Sequence, residues 1–315
     1  MNRFISKALR RLRDTKTRAP DQLVITTSTA VLSIGVSRIA QSGDAHVLHT
    51  GSGLYYGLAR DHNNDVWVAA RGSRVSDERE SKDETGRLIN LSSDKRQPAI
   101  HPPYPLRDLH GLAFAHNALW VACSFDDAVA IYSLTYQSWT WWRPLTLEPD
   151  QGQDQFHFNT VWIQDDRVWV LAHRRGPSWL LAFPAQAALQ GQTVKPLEKI
   201  VLGQQAHNLW RQPTGELCTC SSIEGVLMSE RGWQLETGGF PRGIAQIGDS
   251  WVVGISELKE RRERDYTDAR LLFYNANWEK IGALCIPNVG MVLDLMTVSS
   301  DLLPASVGTL PVVAD

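Results

Sequence analysis

Cysteine is scarce in this chain: there are 4 in 315 residues, at positions 123, 218, 220 and 285. So few and so scattered, they exclude the disulfide framework of a small secreted domain, and Cys218-Thr-Cys220 lacks metal-ligand spacing. They read as small buried apolar residues of a reducing compartment. No run of 18 consecutive apolar residues occurs, which excludes a helical membrane span, and no apolar run of signal-peptide length follows the basic N-terminus. The expected location is the cytoplasm. Net charge is also small, -2 at pH 7, so nothing attracts nucleic acid and no such partner is expected. Nucleophile elbow, Walker loop, dinucleotide fingerprint and zincin motif are all absent.

What the sequence does have is an apolar content of 43% and a charged content of 21%, enough to bury a large core. It also has a repeat. A strand-like segment, a turn and a second apolar strand recur, often with tryptophan: Gly57-Leu-Ala-Arg with Val66-Trp-Val, Gly111-Leu-Ala-Phe with Leu119-Trp-Val, and Thr160-Val-Trp-Ile with Val168-Trp-Val. Weaker copies start at Asn208 and Gly243, and a sixth starts at Gly290. Their spacing is around the 40 to 50 residues of a four-stranded propeller blade.

The last copy runs out of chain, and unused strands, Leu23-Val-Ile-Thr-Thr, Ala30-Val-Leu-Ser-Ile and His46-Val-Leu-His, stand at the other end. Splicing one blade from both termini removes the edge problem of a closed ring. The expected fold is therefore all-β: a six-bladed β-propeller over residues 21–298, its last blade closed by the N-terminal strands plus the C-terminal inner strand. The 12 tryptophans read as filling between blades. Residues 1–20 form a basic amphipathic extension, with Phe4, Ile5, Leu9 and Leu12 on one helical face and Lys7 and arginines opposite. Residues 1–18 are a candidate peripheral membrane or protein contact. The tail 299–315 reads as an irregular strap. A monomer is expected.

In a propeller the inner strands start at one mouth of the central channel, where the loops joining second to third strands also rise. That brings Tyr56, His110, Asn159, His207, Arg242 and Asn288 together, with His157 just before Asn159. Three neutral imidazoles, His110, His157 and His207, suit a divalent transition metal, zinc or iron. Asp126, Asp127 and Glu257 are the candidate bases for a metal-bound water, making a hydrolase or lyase on a small polar substrate. The alternative is a non-catalytic site in which Arg174, Arg175 and Arg242, with Tyr56, Asn159 and Asn288, bind an anionic ligand such as a carboxylate, phosphate or acidic sugar, or a protein partner. Two long charged loops, residues 71–86 and 256–268, stand over the same mouth.

The repeat rhythm over about residues 22–296 resembles the six-bladed propellers that include the SMP-30/gluconolactonase, strictosidine synthase and NHL-repeat groups. The gluconolactonase resemblance implies a divalent ion held by acidic and asparagine ligands. Asn159 and Asn288 match that pattern, whereas histidines and an arginine occupy other positions. The histidines are more similar to the zinc site of the amidating lyase propeller. Tyr56-Gly-Leu-Ala-Arg followed by Val66-Trp-Val-Ala-Ala-Arg-Gly also resembles uncharacterised bacterial propeller families.

Overall fold

A computed structural model describes residues 21–36, 42–77, 81–92, 99–174 and 176–315. The basic segment 1–18 and Arg175 fall outside the described residues. Alternating apolar and β-branched stretches form antiparallel strands throughout. The first sheet has three, β4 (Tyr55–Arg60), β5 (Val66–Ala70) and β6 (Arg87–Asn90). The second runs β7 (Leu109–Ala115), β8 (Ala118–Cys123), β9 (Ala128–Ser133) and β10 (Ser138–Trp142). The third runs β11 (Phe158–Gln164), β12 (Arg167–Ala172), β13 (Pro177–Pro184) and β14 (Glu198–Gln204). The fourth runs β15 (Ala206–Arg211), β16 (Leu217–Ser221), β17 (Val226–Ser229) and β18 (Gln234–Glu236).

The remaining strands form one nine-stranded sheet. Its order is β19 (Phe240–Ile247), β20 (Ser250–Ser256), β21 (Ala269–Tyr274), β22 (Lys280–Ile286), β24 (Gly308–Ala314), β3 (Gly43–Thr50), β2 (Ala30–Gly35), β1 (Asp21–Thr27) and β23 (Val292–Ser299). The N-terminal β1 thus pairs with β23, from Asp21 opposite Ser299 to Thr27 opposite Val292. Strands β4, β7, β11, β15, β19 and β23 pack each on the next, and β23 packs back on β4. The fold is a β-propeller. No helix among the described residues is long and apolar enough to cross a membrane.

Two features differ from the sequence expectation of separate, regular blades. The tail is not an irregular strap: β24 pairs with β3 over Gly308–Val312 and with β22 at Val313 and Ala314, fusing what would be two sheets. It also covers two open edges. In the first sheet a fourth strand is reduced to one bridge between Leu88 and Ile100.

The glycines that open the repeats have a steric cause. A Cβ on Gly57 would lie 2.1 Å from the Leu112 nitrogen, and one on Gly111 would lie 2.9 Å from the Asn159 carbonyl oxygen. Only glycine lets neighbouring inner strands approach this closely. Each inner strand also has an irregular register near its start, between Tyr55 and Leu58, Leu109 and Leu112, Phe158 and Thr160, His207 and Leu209, Pro241 and Ile244, and Val292 and Asp294. Such bulges re-aim side chains. Trp67, Trp120, Trp169 and Trp251 lie buried on second strands, where truncation to alanine would cost about 3–5 kcal/mol each.

Candidate functional site

Three neighbouring inner strands are entered through left-handed residues, Asp108 (φ 51°), His157 (φ 52°) and Gln205 (φ 43°). For a residue with a Cβ this costs on the order of 1–2 kcal/mol, so the turns must be held. Asp127, in the β8–β9 turn, accepts from the backbone N–H groups of Gln155 (2.5 Å), Phe156 (2.7 Å) and His157 (3.0 Å). Glu84 Oε2 accepts from the Asp108 N–H at 2.7 Å.

These turns and bulges bring four imidazoles together. Ring centres are 5.3 Å apart for His110 and His157, 4.7 Å for His157 and His173, 5.3 Å for His173 and His207, and 6.3 Å for His207 and His110. His173, the residue following β12, is the member that sequence reasoning missed as a site residue. Its signal was present: it is the first residue of the β12–β13 loop, at the same mouth.

Hydrogen bonding fixes how three of these rings face. Ser124 Oγ gives its proton to the Phe158 carbonyl at 2.6 Å, so it accepts from His110 Nδ1 at 2.8 Å. Ser222 Oγ donates to the Pro241 carbonyl at 2.8 Å and accepts from His207 Nδ1 at 2.8 Å. The Asp154 carboxylate accepts from His157 Nδ1 at 2.7 Å. With Nδ1 bearing the proton in each neutral ring, Nε2 carries the lone pair. Among the described residues, His207 Nε2 and both nitrogens of His173 are buried without a hydrogen-bond partner.

Burial keeps three of these rings neutral. It pushes His110 down to about 3 against the opposing pull of Asp108, and His173 down to about 2, with His157 and His110 adding to the effect. His207 is likewise held well below its usual range by burial and then by Arg242. His157 differs: burial lowers it, but the Asp154 hydrogen bond and the Asp108 charge outweigh this and leave it raised.

Around the imidazoles lie an aromatic and several charges. The Tyr56 ring is 4.2 Å from His110. Arg71 bridges Glu84, with Nε at 3.1 Å from Oε2, and Asp108, at 2.7 Å. Although burial opposes ionisation of Asp108, Arg71 and then His110 and His157 hold its carboxyl well below the usual range. The two charged loops meet over this mouth: the Ser76 N–H donates to Asp265 at 2.7 Å, and Arg261 Nε donates to the Val75 carbonyl at 3.2 Å.

The other expected site residues are distributed as follows. Asn159 lines the channel and donates to the Ala206 carbonyl at 2.6 Å. Arg242 donates to the Tyr56 hydroxyl at 3.3 Å. The three candidate bases are engaged elsewhere: Asp126 with Arg107, Asp127 with the three amides, and the exposed Glu257 with Lys259 at 2.9 Å. Arg174 is exposed. Asn288 is an exposed turn residue whose N–H donates to Asp268 at 3.0 Å; β23 starts later than the sequence register placed it, so Leu293 lines the channel instead. Among the described residues, one trio of ligand-bearing side chains has its atoms all within 4.8 Å, namely Asp108, His110 and His157. His207 lies outside that trio.

Beneath the histidines a cavity of about 180 Å³ follows the inner strands from Tyr56, His110 and His207 past Asp294 to Trp162 and Trp210. No family model and no curated protein matches the sequence. Among solved structures the chain is similar to one from a crystal structure of a nidogen/laminin complex, with 10% identity, a TM-score of 0.60, and 88% of this chain and 98% of that one covered. It is also similar to a protein of unknown function from Bacteroides caccae, with 11% identity, a TM-score of 0.60, and 89% and 99% covered. At these identities the likeness concerns the β-propeller fold alone.

Proposed function

We propose that the channel mouth holds one divalent transition metal, zinc or iron, and that the protein is a metal-assisted hydrolase or lyase acting on a small polar substrate. The observation that carries this is the set of three imidazoles whose Nδ1–H groups are tied to Ser124, Asp154 and Ser222, which leaves Nε2 of each as the ligand atom, that of His157 once a bound ion has displaced its proton. Metal-binding histidines are oriented in this way by partners on their far nitrogen. Spacing supports it too. Three neighbouring ring pairs stand at 5.3, 4.7 and 5.3 Å, close enough for a shared ion, although His173 and His207 lie outside the group whose ligand atoms are all within 4.8 Å and must turn inward to join it.

His110 and His157 belong both to the ring of four and to the trio with Asp108, and they anchor the site. His173 and His207, with three unpartnered nitrogens between them, complete it. Asp108, already bound to Arg71, positions His110 through its carbonyl, which accepts from Nδ1 at 2.9 Å. The ion would supply a water acidified toward neutrality as nucleophile. Because Asp126, Asp127 and Glu257 are engaged elsewhere, no separate carboxylate base is assigned.

The architecture belongs to the same proposal. Counting the nine-stranded sheet as two four-stranded blades clasped by β24 gives six blades, one inner strand each, as in the SMP-30/gluconolactonase and NHL-like propellers. Metal analysis of the purified protein, before and after incubation with zinc or iron(II), tests the site. About one equivalent is expected, lost in His110→Ala and His157→Ala. Protein without stoichiometric metal after both treatments would overturn it.

A further inference from the structure

Arg242 brings a positive charge to this mouth, and among the described residues it makes no ion pair. The nearby carboxylates are engaged: Glu84 and Asp108 with Arg71, Asp154 with His157, Asp126 with Arg107, Asp127 with three amides, and Asp265 with the Ser76 N–H. One terminal nitrogen of Arg242 donates to the Tyr56 hydroxyl at 3.3 Å. The guanidinium lies 5.9 Å from the Tyr56 ring centre and 5.0 Å from that of Phe240. Its Nε is buried with no hydrogen-bond partner among the described residues.

Arg242 as a whole is half-buried, and a partly desolvated charge without a counter-ion is still less favourable than one that is paired or binds an ion. The surroundings make the deficit larger. The neighbouring imidazoles His110, His173 and His207 are neutral, and Arg264 in the loop above is pushed down by burial and then by the Arg242 charge. Aromatic faces from Tyr56 and Phe240 offset part of the charge but supply no acceptor in the plane of the guanidinium. A divalent ion among the histidines would add further positive charge.

We infer that Arg242 and Tyr56 form an anion subsite that takes the carboxylate of a small molecule bound at the channel mouth. Nε is enclosed, so a carboxylate meets the guanidinium at its terminal nitrogens, one of which already donates to Tyr56, and a planar carboxylate matches that end with parallel N–H···O bonds. The Tyr56 hydroxyl accepts from Arg242 and so keeps its own proton for a carboxylate oxygen. The subsite names the substrate class of the metal site proposed above, yet it stands on Arg242 itself. Measured on metal-stripped protein, it succeeds or fails apart from the metal.

Calorimetric titration of the metal-stripped full-length protein with malonate, and separately with inorganic phosphate, tests this. Malonate is expected to bind and to raise the melting temperature. Arg242→Gln should weaken malonate at least tenfold and remove its thermal shift, and Tyr56→Phe should weaken it severalfold. The melting temperature of Arg242→Gln without ligand should equal or exceed that of the parent, because an uncompensated charge is removed. Phosphate binding without malonate binding would overturn the carboxylate assignment. No binding of either anion by the parent protein, or equal binding by Arg242→Gln, would overturn the subsite. Should Arg242→Gln not fold, the parent titration and Tyr56→Phe still decide the matter.

Discussion

The carboxylate of Asp127 accepts the backbone N–H of His157 at 3.0 Å, so a residue from the β8–β9 turn holds the left-handed residue that delivers an imidazole to the next inner strand. Burial lifts the Asp127 carboxyl above its usual range, and the N–H groups of Gln155, Phe156 and His157 work in the opposite direction. Replacing Asp127 by Ala leaves these amides without an acceptor. Stability should fall by about 1–3 kcal/mol, and zinc affinity should fall by roughly 10- to 100-fold. Denaturant unfolding and zinc competition against a chelator check the two. Unchanged zinc affinity would show that Asp127 does not position His157.

Ser124 and Ser222 set the proton position of His110 and His207 by giving their own protons to backbone carbonyls. Ser222→Ala frees the His207 imidazole to rotate or exchange tautomers, whereas in Ser124→Ala the Asp108 carbonyl still accepts from His110 Nδ1, so the full effect is expected of the Ser222 variant. The expected effect is again a loss of about 10- to 100-fold in metal affinity, with the far-ultraviolet circular dichroism spectrum retained. NMR of ring nitrogens in the metal-free protein should show Nδ1–H in the parent and a mixture for His207 in Ser222→Ala.

Asp294 lines the channel and is half-buried there. Burial raises its carboxyl to about 7, against hydrogen bonds from the Leu58 and Leu295 N–H groups and from Asn208. The native state therefore holds a proton that the unfolded chain releases near pH 4. The stability this contributes is complete below the unfolded value and is lost as pH rises through about 7. Denaturant unfolding at intervals from pH 4 to pH 8 should show this decline for the parent, and a flatter profile for Asp294→Asn. A variant with the same slope would assign the decline to other groups.

Strand β24 clasps β22 and β3 and buries Val312 to 3% exposure. Deleting residues 305–315 exposes both strand edges and Val312's neighbours. A loss of at least about 1.5–3 kcal/mol is expected from the valine alone, with concentration-dependent aggregation through the open edges. Light scattering and thermal melting against protein concentration measure both.

The repeat, the pairing of chain ends and the meeting of His110, His157 and His207 could be traced in the sequence because each depends on periodic position. Gly57 and Gly111 mark where neighbouring strands touch, and the residues before them reach the mouth. His173 was harder to find, since it lies beyond a second strand rather than before an inner one. Asp126, Asp127 and Asn288 show the limit in another way. Proximity to the mouth follows from position, but whether a carboxylate is free depends on partners such as Arg107 and the Gln155–His157 amides, brought in by loops of irregular length. The extension of the ring by β24 was equally hidden, because Gly308–Ala314 contains Pro311 and few buried side chains.

The central claim is that one metal ion sits among the histidines at the channel mouth. A crystal of zinc-loaded protein, with anomalous diffraction collected above and below the zinc absorption edge, tests it directly. The account predicts a single strong anomalous peak about 2.0–2.1 Å from Nε2 of His110 and His157, with His173 and His207 turned toward it. Zinc-loaded crystals with no peak there, or with peaks only at surface residues, would contradict it.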